Sequence, residues 1–134
     1  MSVSKTQVVC AVIVQGKLVL AVRRGPLMRM AGKWEFPGGK MEPGETPQQT
    51  AVREIREELS MHITVLDSWP SAPHDYGDFQ IELIPLLCTT FDQQPVLSEH
   101  DSFQWLDQNT LFEPDWAEAD LPIRDRAAEW LSSV

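Results

Sequence analysis

The stretch Gly39-Lys40-Met41-Glu42-Pro43-Gly44-Glu45-Thr46-Pro47-Gln48-Gln49-Thr50-Ala51-Val52-Arg53-Glu54-Ile55-Arg56-Glu57-Glu58-Leu59 decides how the chain is read. Thr46 can cap a helix, Pro47 suits its first position, and Gln49 can complete a capping box. The spacing predicts a helix from about Pro47 to Leu59, whose stripe of Ala51, Val52, Ile55 and Leu59 packs on a sheet. Glu54, Glu57 and Glu58 stand at i, i+3 and i+4 and crowd another side of it. Like charges so placed repel by roughly a few tenths of a kcal/mol per pair. Arg53 can pair with Glu57, which leaves two carboxylates without an obvious cation. Alone, such a run is usually a solvated face. An oxygen-rich cluster is also what a hard divalent cation such as Mg²⁺ or Mn²⁺ favours.

Upstream, the β-branched runs Val8 to Val14 and Leu18 to Val22 flank Gln15-Gly16 and read as a hairpin. A basic loop, Arg23 to Lys33, leads to a short Trp34-Glu35-Phe36 segment, and Pro37-Gly38-Gly39 is expected to end that strand and free the backbone. Downstream, Ile63 to Leu66 and Phe79 to Thr89 read as strands separated by a turn region at His74-Asp75-Tyr76-Gly77-Asp78. Pro85 suggests an edge strand or a bulge. Phe103 to Leu106 reads as a short strand after a polar loop, and Leu121 to Leu131 as a closing helix. Strands and helices mix without a strict βαβ repeat, which predicts an α+β fold with a mixed sheet.

With 134 residues and 43% hydrophobic content, one domain spanning residues 1–134 is expected. Cys10 and Cys88 lie in apolar runs without disulfide or CxxC spacing, so they read as buried free thiols in a reducing compartment. No segment nears the ~20 apolar residues that span a bilayer, and MSVSKTQ does not read as a leader; a cytoplasmic protein is expected. The net charge of -9 argues against nucleic acid or an anionic membrane as partner, yet leaves room for an anion held through metal.

Gly39, then five residues, Glu45, then seven residues, and Arg53-Glu54-Ile55-Arg56-Glu57-Glu58-Leu59-Ser60-Met61 together resemble the signature of the Nudix hydrolases, G-x5-E-x7-R-E-U-x-E-E-x-G-U with U aliphatic. Eight of its nine fixed positions match. The departure is Ser60, at what looks like the helix C′ site, where glycine is preferred because it can take φ > 0. Serine there should cost on the order of 1 kcal/mol in strain or force another cap. Arg23-Arg24, Trp34 to Gly39, Ser98-Glu99-His100 and Ala119-Asp120-Leu121-Pro122 extend the resemblance to the MutT-type branch and the CTP pyrophosphohydrolases.

That resemblance implies a Nudix fold, a mixed sheet between helices, and hydrolysis of a (d)NTP to the monophosphate and pyrophosphate with Mg²⁺ or Mn²⁺. It implies nucleotide-pool sanitation, acting on modified cytidine-type pyrimidines or on 8-oxo-dGTP, by a monomer or homodimer. It assigns metal binding to Glu54, Glu57, Glu58 and Glu99 with the carbonyl near Gly38, and has Arg53 orient its neighbouring carboxylates. Glu54 or Glu99 would take the proton from the attacking water. Glu45 would be structural, holding the loop before the helix. Arg24 and Lys40 are implied phosphate or leaving-group contacts, and Arg29 lies near the substrate. Phe36 is implied at the base, with Trp34 a nearby stacking candidate and Glu35 between them also at the substrate; core packing suits both aromatics equally. Asp120 would read a cytosine-type base or an oxidised purine. The alternatives are an ADP-ribose or dinucleoside polyphosphate hydrolase, or a silent nucleotide sensor, which would be expected to lack box carboxylates.

Overall fold

Alternation along the first strand sets the architecture. In β1 (Lys5–Gln15), Val9, Ala11 and Ile13 join one core cluster, and Cys10, Val12 and Val14 join another. A strand buried on both faces needs a layer on each side. α1 (Pro47–Leu59) supplies Ala51, Ile55 and Leu59 to the first cluster; α2 (Leu121–Ser133) supplies Ile123, Ala127 and Leu131 to the second. The computed structural model describes residues 5–92 and 94–134, so residues 1–4, which open the stretch read above against a leader, lie outside the description.

The sheet runs β3-β2-β1-β7-β5, from β2 (Leu18–Arg23), β3 (Trp34–Glu35), β5 (Ile63–Ser68) and β7 (Gln80–Thr90). β4 (Gly38–Lys40) pairs with β1, β6 (Ala72–Asp75) with β7, and β8 (Ser102–Leu106) with β2. β1 and β7 are parallel and the other pairs antiparallel, so the expected mixed sheet between helices is what the chain forms. The hairpin closes through Gly16-Lys17, with Gly16 at φ 58°.

Four expectations are corrected. Val52, read into the core stripe of α1, is exposed, and Thr50 is buried in that helix instead. Pro37-Gly38-Gly39 does not release the backbone: Gly38 and Gly39 pair with Cys10 and Val9, and the approach is so close that a Cβ on Gly38 would overlap the Val9 carbonyl oxygen, so only glycine fits there. Part of the turn expected at His74 to Asp78 is strand, with His74 and Asp75 paired to Ile81 and Gln80. Pro85 lies on a central strand, between the segments that pair with β5 and β6. Its carbonyl accepts from Trp69 N–H at 3.0 Å. A strand residue's N–H and C=O point the same way, so the donor that proline lacks faces the β5–β6 junction, where the ladder is already broken.

Candidate active site

α1 begins as its sequence dictates. Thr46 Oγ1 accepts from Gln49 N–H at 3.1 Å and Gln49 Oε1 accepts from Thr46 N–H at 2.9 Å. At the other end Ser60 is left-handed, at φ 53° and ψ 36°, and its N–H closes on the Arg56 carbonyl at 3.0 Å. Serine therefore adopts the glycine conformation rather than changing the cap.

Arg53 does more than pair with Glu57. Its guanidinium grips Glu45 with Nε–H to Oε2 at 2.7 Å and Nη2–H to Oε1 at 2.9 Å, and donates to Glu54 at 2.7 Å and the Lys40 carbonyl at 3.2 Å. Glu57, at 3.3 Å, is the looser partner. Glu45 also accepts from Glu42 N–H and the Thr50 hydroxyl, both at 2.9 Å. The Arg53 guanidinium, then the Glu42 backbone, holds the Glu45 carboxyl down at about 2. Glu45 thus fixes the loop, and also the arginine that fixes Glu54.

Glu58 is the carboxylate left over. Burial, then the charge and hydrogen bond of Glu54, then Glu35 and Glu99, push it up to about 9. Its Oε2 is buried without a hydrogen-bond partner among the described residues. A protonated carboxyl among other carboxylates is the environment that a cation relieves, so the residues fit a divalent metal. Among the described residues no three His, Cys, Asp or Glu side chains already converge as a complete ligand set. Glu57 and Glu99 are exposed, whereas Glu54 and Glu58 are half-buried. A Cβ on Gly39 would overlap the Glu54 carboxylate, so this glycine keeps the cluster open to β4.

A cavity of about 560 Å³ opens beside Glu58, and Gly38, Lys40, Arg24, Arg29, Glu35, Phe36 and Asp120 line it too. Asp120 is 6% exposed. Its Oδ2 accepts from Phe36 N–H at 2.9 Å. Burial and the nearby Glu35 charge push it up to about 8. Phe36 packs on Trp116 with centroids 4.7 Å apart. Arg24 donates to Glu35 Oε1 at 2.6 Å, and Glu35 Oε2 lies 2.8 Å from Nε2 of His100. Arg29 pairs with Asp78 at 3.1 Å and lies 4.4 Å over the Phe79 ring.

Trp34 is corrected: it is buried in the α2-side core and does not line this cavity. Trp34 and Phe36, on either side of Glu35, both join that core, and Phe36 alone of the two also lines the cavity. Phe79, Met28, Met30 and Cys10 line the cavity unannounced by the motif. The one signal for Phe79 was an aromatic directly after a polar turn. Cys10 and Cys88 are free and buried, and burial raises both thiols, Cys88 to about 12. Among the described residues, no helix is long and apolar enough to cross a membrane.

The family model described as NUDIX domain matches residues 4–130. The CTP pyrophosphohydrolase of Escherichia coli (strain K12) is 32% identical over 117 residues, 87% of each chain. The 8-oxo-dGTP diphosphatase of the same organism is 31% identical over 105 residues, 78% of this chain and 81% of that one. The solution structure of the E. coli ORF135 protein superposes with a TM-score of 0.80 at 30% identity, covering 98% of this chain and 93% of that one.

Proposed function

The chain belongs to the Nudix hydrolase family, and from that premise we propose that it converts a nucleoside triphosphate and water into the monophosphate and pyrophosphate with Mg²⁺ or Mn²⁺. One observation carries the reading: a single cavity is lined both by Glu58, of the carboxylate cluster, and by the buried Asp120. A triphosphate end and a base end can be held together there.

Glu54, Glu57, Glu58 and Glu99, with the Gly38 carbonyl, would hold the metal. Bound cations would neutralise the triphosphate and lower the pKa of the attacking water. Arg53 holds Glu54 in place, and Glu54 or Glu99 accepts the water's proton. Arg24 and Lys40 offer positive charge to phosphate oxygens. Arg29, Glu35 and Phe36 border the nucleoside.

With Oδ2 of Asp120 occupied by the Phe36 amide, Oδ1 is left to meet a base. Ionised, it accepts from the amino group of cytosine; protonated, it donates to a ring nitrogen or carbonyl. A cytidine-type triphosphate is the preferred substrate on this reading, in line with the CTP pyrophosphohydrolase relative, 32% identical over 117 residues. An oxidised guanine triphosphate is the second reading, favoured by the donor form of Asp120 and by the 8-oxo-dGTP diphosphatase relative. Sanitation of the cytoplasmic nucleotide pool is the role that follows, in keeping with two buried free thiols.

The test is pyrophosphate and monophosphate release with Mg²⁺ from dCTP, 5-methyl-dCTP, CTP, dGTP, 8-oxo-dGTP, ADP-ribose and diadenosine tetraphosphate. A peak in kcat/KM at a cytidine or oxidised-guanine triphosphate is expected. Turnover confined to ADP-ribose or the dinucleotide, or no turnover at all, would sink the proposal.

A further inference from the structure

His100 is buried, 4% exposed, and the reaction outlined above leaves it without a role. Its Nε2 meets Glu35 Oε2 at 2.8 Å, and Glu35 Oε1 accepts from Arg24 at 2.6 Å. Arg24 in turn donates Nε–H to the Arg29 carbonyl. This run of contacts joins the β7–β8 loop to β3 and to the loop between β2 and β3. Arg24, Arg29 and Glu35 line the cavity; His100 does not, but its chain neighbour is Glu99.

The loop that carries His100 is itself held. Asp101 N–H donates to the Arg23 carbonyl at 3.1 Å, and the Asp101 carboxylate pairs with Arg23 at 2.7 Å. Ser98 Oγ donates to the Glu58 carbonyl at 3.2 Å, and Val96 N–H to the Leu59 carbonyl at 2.8 Å. A Cβ on Gly25 would overlap the Glu99 carbonyl oxygen, so the β2–β3 loop presses directly on this segment. A histidine on so fixed a loop makes a rigid anchor. A carboxylate engaged at both oxygens cannot rotate without leaving a buried polar partner unpaired.

We propose that His100 is a positioning residue for nucleotide hydrolysis: by engaging Oε2 of Glu35 it fixes the carboxylate that orients Arg24 in the cavity. This inference rests on the pyrophosphohydrolase reading. His100 also ties the loop of Glu99 to the strand that carries Glu35, and so fixes the spacing between the carboxylate cluster and the nucleoside side.

Three variants separate positioning from packing. In His100→Gln the amide nitrogen can stand where Nε2 stood. His100→Leu fills the space without a donor, and His100→Asn is polar but too short to reach Glu35. The first readout is the Arg24 side-chain Nε–Hε resonance in protein free of metal and nucleotide. The second is KM and kcat for whichever triphosphate of the panel above the wild type hydrolyses best.

In H100L the Arg24 signal should shift and broaden, and KM should rise about ten-fold or more, the order of loss typical of outer-shell partners, with kcat less affected. H100N should behave alike and replaces H100L if the latter does not fold. H100Q should restore both readouts to within about three-fold of wild type, well short of that loss. Wild-type Arg24 signals and KM in H100L and H100N, or equal defects in all three variants, would overturn the proposal. If the wild type hydrolyses no triphosphate, the functional reading fails, and the Arg24 resonance alone then decides whether His100 orders Arg24.

Discussion

Two carboxyls in this site are held above their ordinary ionisation, and each carries a measurable consequence. Glu58 is raised because burial and three other glutamates oppose its charge. Replacing it with Gln removes the proposed ligand while nearly keeping shape, so kcat/KM should fall by at least about 100-fold, beyond what outer-shell changes cost. A melting temperature no lower than wild type in the same variant would show that the loss is chemical, since removing a carboxyl raised by burial and repulsion should not destabilise the fold. Asp120 is raised from its ordinary 3.8 to about 8. The folded state therefore binds the proton more tightly than the unfolded chain, and this contribution is full below 3.8 and is lost as pH rises through about 8. Asp120→Asn lacks the titration, so its melting temperature relative to wild type should climb from pH 4 to pH 8, within the window set by those two values. A pH-independent difference would show that Asp120 is not raised.

α1 carries both the core stripe and the acidic face, and magnitudes decide why it is stable despite the second. Fully buried Ile55 and Leu59 contribute about 1.5–3 kcal/mol each, against roughly a few tenths for each like-charge pair. Ser60 is the strained end. Ser60→Gly should stabilise the protein by about 0.5–1 kcal/mol, the left-handed penalty less the entropy that glycine adds to the unfolded chain, as read by denaturant midpoint. Glu45, held down at about 2, contributes stability that is present above its ordinary 4.5 and lost as pH falls through about 2. Glu45→Gln should lower the melting temperature at pH 7 and narrow its difference from wild type toward pH 2. Because Arg53 then loses its firmest partner, metal affinity should also fall by about 10–100-fold, read by calorimetry.

At the scale of the molecule, the sheet brings β4 against β1 and against the start of the acidic face, and two adjacent glycines separate these jobs. Gly38→Ala sets a methyl into the Val9 carbonyl, an overpacking against backbone that should cost about 2 kcal/mol or more in unfolding free energy. Gly39→Ala meets the Glu54 carboxylate, a side chain that can move, so it should weaken metal binding more than folding. Equal losses of stability in the two variants would contradict this division. Neither role could be read in the sequence, where a Pro-Gly-Gly run looks like a strand stop.

The chain alone determined whatever depends on local spacing. Helical periodicity and a capping box drew α1, and fixed offsets from Gly39 through Glu45 to Glu58 drew its acidic face, because residues three and four apart must share a helix face. The same logic gave the hairpin and the closing helix. Tertiary structure decided what depends on residues distant in sequence. It made Pro85 central by aligning the β5–β6 gap with its missing donor, and sent Trp34 to the core while Phe36 reached the cavity. It also brought His100 to Glu35, 65 residues away, and Asp120 to Phe36, 84 residues away. Burial, long-range pairing and the charge state of a carboxyl are sums over neighbours that the fold supplies, and no local pattern encodes them.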